Sequence, residues 1–142
     1  MNILKVLTQK RMLGNLGENA AAKHLRQQKY KILERNYVAD SGEVDIIAKD
    51  GDTTVFIEVK TRTYREPSPT TARPAAAVNR EKQRKIINCA AQYRRERFSN
   101  GRVRFDVVEV YTEHVGERDK IKEINHIKAA FDKSSAYAGY KR

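Results

Sequence analysis

The sequence has no tryptophan, one cysteine, three prolines, and 18 acidic residues against 29 basic ones. Each shortage excludes something. A single thiol, Cys89, cannot close an internal disulfide or build a thiolate metal cage, and a reducing cytoplasm is the expected setting. His24, His114 and His126 lack the spacing of zinc ligands. No apolar run approaches the roughly 20 residues of a membrane span. The opening MNILKVLTQKRMLG has no signal-peptide pattern, so no membrane partner is expected. All three prolines fall between residues 61 and 78, so the flanking segments are free to form long elements.

What remains is a chain of 142 residues, 39% apolar and 33% charged, with a net charge of +11. That suits one domain with a modest core and a heavily charged surface. The surplus of positive charge favours a polyanionic partner, nucleic acid above all. A basic protein with no such partner is the plain alternative.

Gly14 to Lys29 reads as a helix, with Glu18, Ala21, Ala22 and Leu25 on one face. Tyr30 to Ala39 is a weaker strand. Glu43 to Ala48 and Thr53 to Lys60 are strands of high β-propensity, joined by the turn signal Asp50-Gly51. Residues 61–78 form a long loop. Asn79 is a fitting N-cap for a helix reaching about Phe98, with Gln83, Ile86, Ile87 and Ala90 inward. Arg102 to Tyr111 is a strand with Val103, Phe105 and Val107 on one side. Ile121 to Ile127 fits helix or strand equally, since its isoleucines recur every three residues. Residues 134–142 lack apolar anchors and are expected to fray. The order is α-β-β-β-α-β, a small sheet flanked by helices. Residues 1–13 are read as an N-terminal extension, 14–131 as a single domain and 132–142 as a disordered tail.

The central hairpin poses a chemical question. With Lys49 facing Asp52, Asp45 lies opposite Phe56 and Glu43 opposite Glu58. One face then carries Glu43, Asp45, Glu58 and Lys60 beside Ile47 and Phe56. The other, with Val44, Ile46, Ala48, Val55, Ile57 and Val59, is almost wholly apolar. Clustered carboxylates repel, and at least one pKa rises unless something compensates. A divalent cation does so; Mg²⁺ takes one or two carboxylates plus water and phosphate oxygens. Lys60 lies on the same side of its strand as Glu58. Glu18, in the apolar stripe of the first helix, needs a partner or a metal. Gln83 is placed to orient water or phosphate. Cross-strand ion pairs of Asp45 or Glu58 with Lys60 are the competing account. Glu43, at the sheet end, is left outside the site.

Asp45 followed by Glu58-Val59-Lys60 resembles the PD-(D/E)XK nuclease signature, with Val44 where the signature has proline. Glu18 on a preceding helix is similar to the arrangement in archaeal-type Holliday junction resolvases. GNLGENAAAKHL (14–25), ILERNY (32–37), GEVDIIAKDG (42–51), VFIEVKTR (55–62), RFDVVEV (104–110) and INHIKAAF (124–131) together resemble the bacterial YraN family, which has no settled activity. The resemblance implies an α/β, restriction-endonuclease-like core. It also implies site residues Glu18, Asp45, Glu58 and Lys60, with Gln83 auxiliary; a homodimer, as in resolvases, is compatible with the sequence but not demanded by it.

Two functions stand against each other. In one, the protein is a metal-dependent endonuclease cutting DNA, with branched or single-stranded forms as candidate substrates. Asp45 and Glu58, completed by Glu18, would hold Mg²⁺ or Mn²⁺, and Lys60 would steady the reacting phosphate. In the other, it is a non-catalytic nucleic-acid-binding module. There the basic residues Arg62, Lys82, Arg84, Lys85 and Arg95 would make sequence-independent phosphate contacts, with Tyr64, Tyr93 and Phe98 as candidate stacking residues.

Overall fold

The computed structural model describes residues 2–66 and 78–139. A long helix, α1 (Ile3–Gln27), leads into three strands, β1 (Lys31–Ala39), β2 (Gly42–Asp50) and β3 (Thr53–Thr63). Helix α2 (Arg80–Glu96) crosses to β4 (Arg102–Val115), which turns into β5 (Arg118–Phe131) and a final turn of helix, α3 (Lys133–Ala136). The strands form one mixed sheet in the order β1-β2-β3-β4-β5. β3 and β4 are parallel, as a helical crossover requires, and the other neighbours are antiparallel.

The two helices cover opposite faces. Ala21, Ala22 and Leu25 of α1 pack on Ile46, Ala48, Val55, Ile57, Val108 and Val110. Ile86, Cys89, Ala90 and Tyr93 of α2 pack on Ile47, Phe56, Phe105 and Val107. Small alanines on α1 let the helix lie close to the sheet. The closest approach is at Gly17, where a Cβ would stand 1.9 Å from the Thr61 Oγ1. Only glycine fits there, and the approach sets the next residue, Glu18, at the end of β3.

The hairpin turn lies one residue beyond the expected position. Asp50 pairs with Thr53, and Gly51-Asp52 form the loop. Gly51 takes φ 58, the left-handed first position that a type II′ turn reserves for glycine. Sliding the turn by one residue on each strand moves the register by two. Parity is kept, so Ile47 and Phe56 still share a face and now face each other directly. One side chain departs from the alternation. Val44 joins the α2-side cluster instead of lying beside Ile46. The strand twists there: the β2–β3 ladder ends at Ile46, and Asn36, on the neighbouring β1, adopts φ 54.

Three further segments extend or resolve the reading of the sequence. Helix α1 starts at Ile3, capped by the Asn2 side chain, and runs straight through Gly14. A single interior glycine costs a helix only about 1 kcal/mol. The ambiguous Ile121–Ile127 stretch is strand. Its three-residue spacing is absorbed by bulges: Tyr111 pairs with Glu123 but Thr112 with Ile121, leaving Lys122 over. Ile121 and Ile124 thus stand opposite Thr112 and Val110 on one face, while Ile127 stands opposite Val107 on the other. Beyond residue 131, where a disordered tail was expected, Asp132 and Ser135 form a capping box and Ala136 is buried. Most of the 61–78 loop falls outside the described residues. No helix among the described residues is long and apolar enough to cross a membrane.

Candidate active site

At the open end of the β2–β3 hairpin the ladder stops and carboxylates collect. Ile46 pairs with Ile57, so the next pair in register would be Asp45 and Glu58. Instead of that backbone pair, the Val59 N–H donates to Asp45 Oδ2 at 2.8 Å. A side chain takes the place of a ladder bond, and the strands part around it. Burial, followed by the nearby Glu58 carboxylate, pushes the Asp45 pKa up to about 7, against the pull of the Val59 N–H. Glu18 adds to the push and Lys82 opposes it, which places both in the field of Asp45.

Glu58 is buried on the α2 side, and two ammonium groups approach it. Lys60 Nζ is 3.5 Å and Lys82 Nζ 3.9 Å from its Oε1. Both approach one oxygen. Within the described residues, Asp45 Oδ1 and Glu58 Oε2 make no hydrogen bond or ion pair. Glu18 is also engaged through one oxygen: Arg35 Nε and Nη2 and Asn36 Nδ2 all donate to Oε1, at 2.9–3.0 Å. On α2, Gln83 donates to the Val78 carbonyl at 3.0 Å, while its own Oε1 is buried with no partner among the described residues. A buried acceptor without a donor is a seat for water.

The expected residues therefore divide. Asp45, Glu58, Lys60 and Lys82 come together, with Glu18 close behind. Among the described residues, no group of three or more His, Cys, Asp or Glu side chains is disposed to hold a metal. The donors still suit a hard divalent cation. Two carboxylates with free oxygens and mutual repulsion match Mg²⁺ or Mn²⁺, which take their remaining ligands from water and phosphate. Of the basic residues, Arg62 and Arg95 are exposed. Lys85 pairs with Glu81 one turn away at 3.7 Å. Arg84 turns to the C-terminal segment, donating to the Ala136 carbonyl at 2.9 Å and lying over the Tyr137 ring. Tyr93 is packed among Tyr37 and Phe56, which removes it as a stacking residue.

Sequence reasoning missed two buried acids on β4. Asp106, fully buried, accepts from Arg104 Nε, from the Ala129 N–H and from His126 Nε2, at 2.8–3.0 Å. Arg104 also reaches Asp50 at 2.8 Å. This satisfied network lies on the α1 side and ties β4, β5 and the hairpin turn together. Glu109 lies on the other side, in register with Lys60 across the parallel pair. It accepts from Asn125 Nδ2 at 3.0 Å. Its alternation with Phe105 and Val107 was the only local signal for it.

The chain is thus an α/β protein with a five-stranded mixed sheet flanked by helices, its paired acids at the open end of a hairpin. It belongs to the uncharacterised protein family UPF0102, the YraN family, whose model matches residues 17–110. It is 44% identical over 123 residues to a UPF0102 protein of Caldicellulosiruptor saccharolyticus, covering 86% of this chain and 98% of that one. It is 45% identical over 121 residues to a UPF0102 protein of Chlorobaculum tepidum, covering 84% and 91%. A UPF0102 protein of Acetivibrio thermocellus is 43% identical over 124 residues, covering 86% and 92%. The matched region contains Glu18, Asp45, Glu58, Lys60 and Gln83.

Proposed function

We propose that this protein is a metal-dependent endonuclease that hydrolyses phosphodiester bonds in DNA. The observation that carries the proposal is the meeting of Asp45 and Glu58 where the hairpin ladder opens, with the Asp45 pKa driven up by burial and by Glu58. Two acids held together at such cost are a standing demand for a cation. Mg²⁺ or Mn²⁺ bound there would activate water and neutralise phosphate charge.

The chain's own residues do the rest. Asp45 is held by the Val59 N–H through Oδ2, which leaves Oδ1 without a hydrogen bond among the described residues. Glu58 is fixed on the rigid parallel strand β3, next to β4. Lys60 and Lys82 supply positive charge beside the acids, for non-bridging phosphate oxygens. Glu18, anchored through Oε1 by Arg35 and Asn36, presents Oε2 to a water or to the cation's outer shell. The buried Gln83 Oε1, next in sequence to Lys82, would accept from a water. Exposed Arg62, Lys85 and Arg95 contact phosphates outside it and hold the strand without reading its sequence.

One observation favours a binding module instead. Lys60 and Lys82 already stand within ion-pair distance of Glu58, so part of the acid charge is neutralised without metal. The test is cleavage of labelled single-stranded, duplex, flapped and four-way-junction DNA, with Mg²⁺, Mn²⁺ or chelator. Metal-dependent cutting that disappears in Asp45→Ala and Lys60→Ala supports the enzyme. Tight, salt-sensitive binding with no cutting in any metal supports the module.

A further inference from the structure

Glu109 is a buried carboxylate, 5% exposed, in ion-pair contact with no cation among the described residues. A charge buried in this way is costly unless a counter-charge is close. It is nevertheless held in place. The Asn125 amide donates to its Oε1 at 3.0 Å, and Tyr111 bonds to it. Burial and that hydrogen bond push the Tyr111 phenol up to about 12, so it stays a donor at every physiological pH.

The register places a cation directly across from it. β3 and β4 pair in parallel without interruption, and Lys60 is the Cα partner of Glu109. In-register partners on adjacent strands share a face. That face is the α2 side, fixed by Phe56 and Phe105 four pairs earlier, whose ring centroids are 5.8 Å apart. Lys60 therefore has two acids within the reach of one side chain: Glu58 two residues back on its own strand, and Glu109 across the ladder.

Its present seat is Glu58, at 3.5 Å. On the proposed function, Glu58 must give its charge to a divalent cation. An ammonium held against the same carboxylate repels that cation and must move away. We propose that Glu109 is a positioning residue that receives the Lys60 ammonium when a divalent cation occupies Asp45 and Glu58. The exchange satisfies both buried acids at once: the cation serves the hairpin pair, and Lys60 serves Glu109. It also keeps the ammonium beside the site, where the phosphate arrives. This inference rests on the metal-binding reading of Asp45 and Glu58.

The experiment is Mn²⁺ titration of the full chain without nucleic acid, followed by electron paramagnetic resonance. Wild type, Glu109→Gln, Lys60→Met and the double variant are compared. With its second seat removed, Lys60 stays on Glu58, so Glu109→Gln is expected to weaken Mn²⁺ about tenfold. Lys60→Met removes the competitor and is expected to bind at least as tightly as wild type. In that background Glu109→Gln is expected to change nothing. Equal weakening in both backgrounds would mean that Glu109 only supports the structure, and would overturn the proposal. No weakening in either background would overturn it as well. Absence of Mn²⁺ binding by the wild type would remove the metal reading itself and this inference with it. Should Glu109→Gln fail to fold, Asn125→Ala loosens the same carboxylate from the outside. It is expected to weaken Mn²⁺ in the wild-type background and to have no effect with Lys60→Met.

Discussion

Asp45 and Val59 are joined across a gap between two strands: the Val59 amide donates to Asp45 Oδ2 at 2.8 Å, just past the last backbone pair of the hairpin. The bond serves two ends. It satisfies an amide left without a ladder partner, and it fixes the direction of a carboxylate that burial and Glu58 still push toward protonation. Stability has been given up at this point in the fold, and the loss can be measured.

The first prediction concerns that loss. The folded pKa of Asp45 lies near 7, above its ordinary value of 3.8. Its effect on stability is therefore neutral below about pH 4, grows unfavourable as pH rises from there, and is complete above about 7. In chelator at pH 8, Asp45→Asn is expected to raise Tm by about 5 °C or more. At pH 4 the gain should vanish. Mg²⁺ or Mn²⁺ should raise the Tm of the wild type and leave the variant unmoved. Thermal denaturation across pH, with and without metal, checks all three; a variant less stable than wild type at pH 8 would contradict the account.

Gly17 and Thr61 give a second prediction. A Cβ at residue 17 would collide with Thr61 Oγ1 and crowd its Cβ and Cγ2 at 3.0 Å. Gly17→Ala is expected to destabilise the fold by about 1–3 kcal/mol despite its better helix propensity. Thr61→Ala should restore part of the loss by removing two of the three clashing atoms. Urea unfolding of the two single variants and the double variant measures the coupling. Additive losses would show that the contact is not the cause.

Asp106 behaves in the opposite sense to Asp45. Burial favours its protonation, but hydrogen bonds from His126, Arg104 and the Ala129 amide outweigh burial and hold its pKa below the usual carboxylate range. Its stabilising effect is complete above about pH 4 and is lost as pH falls through the depressed folded value. Asp106→Asn leaves Arg104 and His126 facing a weaker acceptor, and should cost about 3 kcal/mol at pH 7. The gap between wild type and variant should shrink toward pH 3. A gap independent of pH would rule out the ionised network as its source.

On the proposed function, the lysines beside Glu58 are expected to separate binding from chemistry. Lys82→Ala is expected to weaken DNA binding and lower the salt slope of the association constant by about 1. Lys60→Ala should bind DNA within a few-fold of wild type yet lose metal-dependent cutting. Anisotropy titrations over a salt series, run beside cleavage assays, distinguish the two. Equal effects of both variants on binding and cutting would deny Lys60 a special place.

Much of this fold was legible in the sequence because its signals are local. Asn79 caps α2 as read, and the alternation in β2 and β3 identified the acid-bearing face. The turn was misplaced by one residue, yet the face assignment survived because a two-residue change of register preserves parity. Val44 was not legible, since a local twist at Asp45 leaves no mark in the alternation. β5 was obscured by its own bulges, at Lys122 and around Ala129, which break the period-two pattern. The first turns of α1 were hidden by Gly14, which resembles a boundary and is only a weak interior position. Within the candidate site, Asp45, Glu58 and Lys60 lie on one hairpin and were found together. Glu109 was missed because it lies across from Lys60 only through a parallel register that no local pattern encodes.

That parallel register has a consequence for how the chain folds. Every β3–β4 pair joins residues 49 positions apart, from Thr53 and Arg102 to Thr63 and Thr112. The hairpin of β2 and β3 closes across a two-residue loop and can form early, on the microsecond scale of hairpins. Pairing β4 requires the whole crossover to be gathered first, which is slow for entropic reasons. Asp45 and Glu58 are therefore expected to meet before β4 brings Glu109 alongside Lys60. For that interval the nascent sheet carries its repelling acids without the full set of neighbours. Divalent cations or mild acidity present during refolding should speed the passage through it.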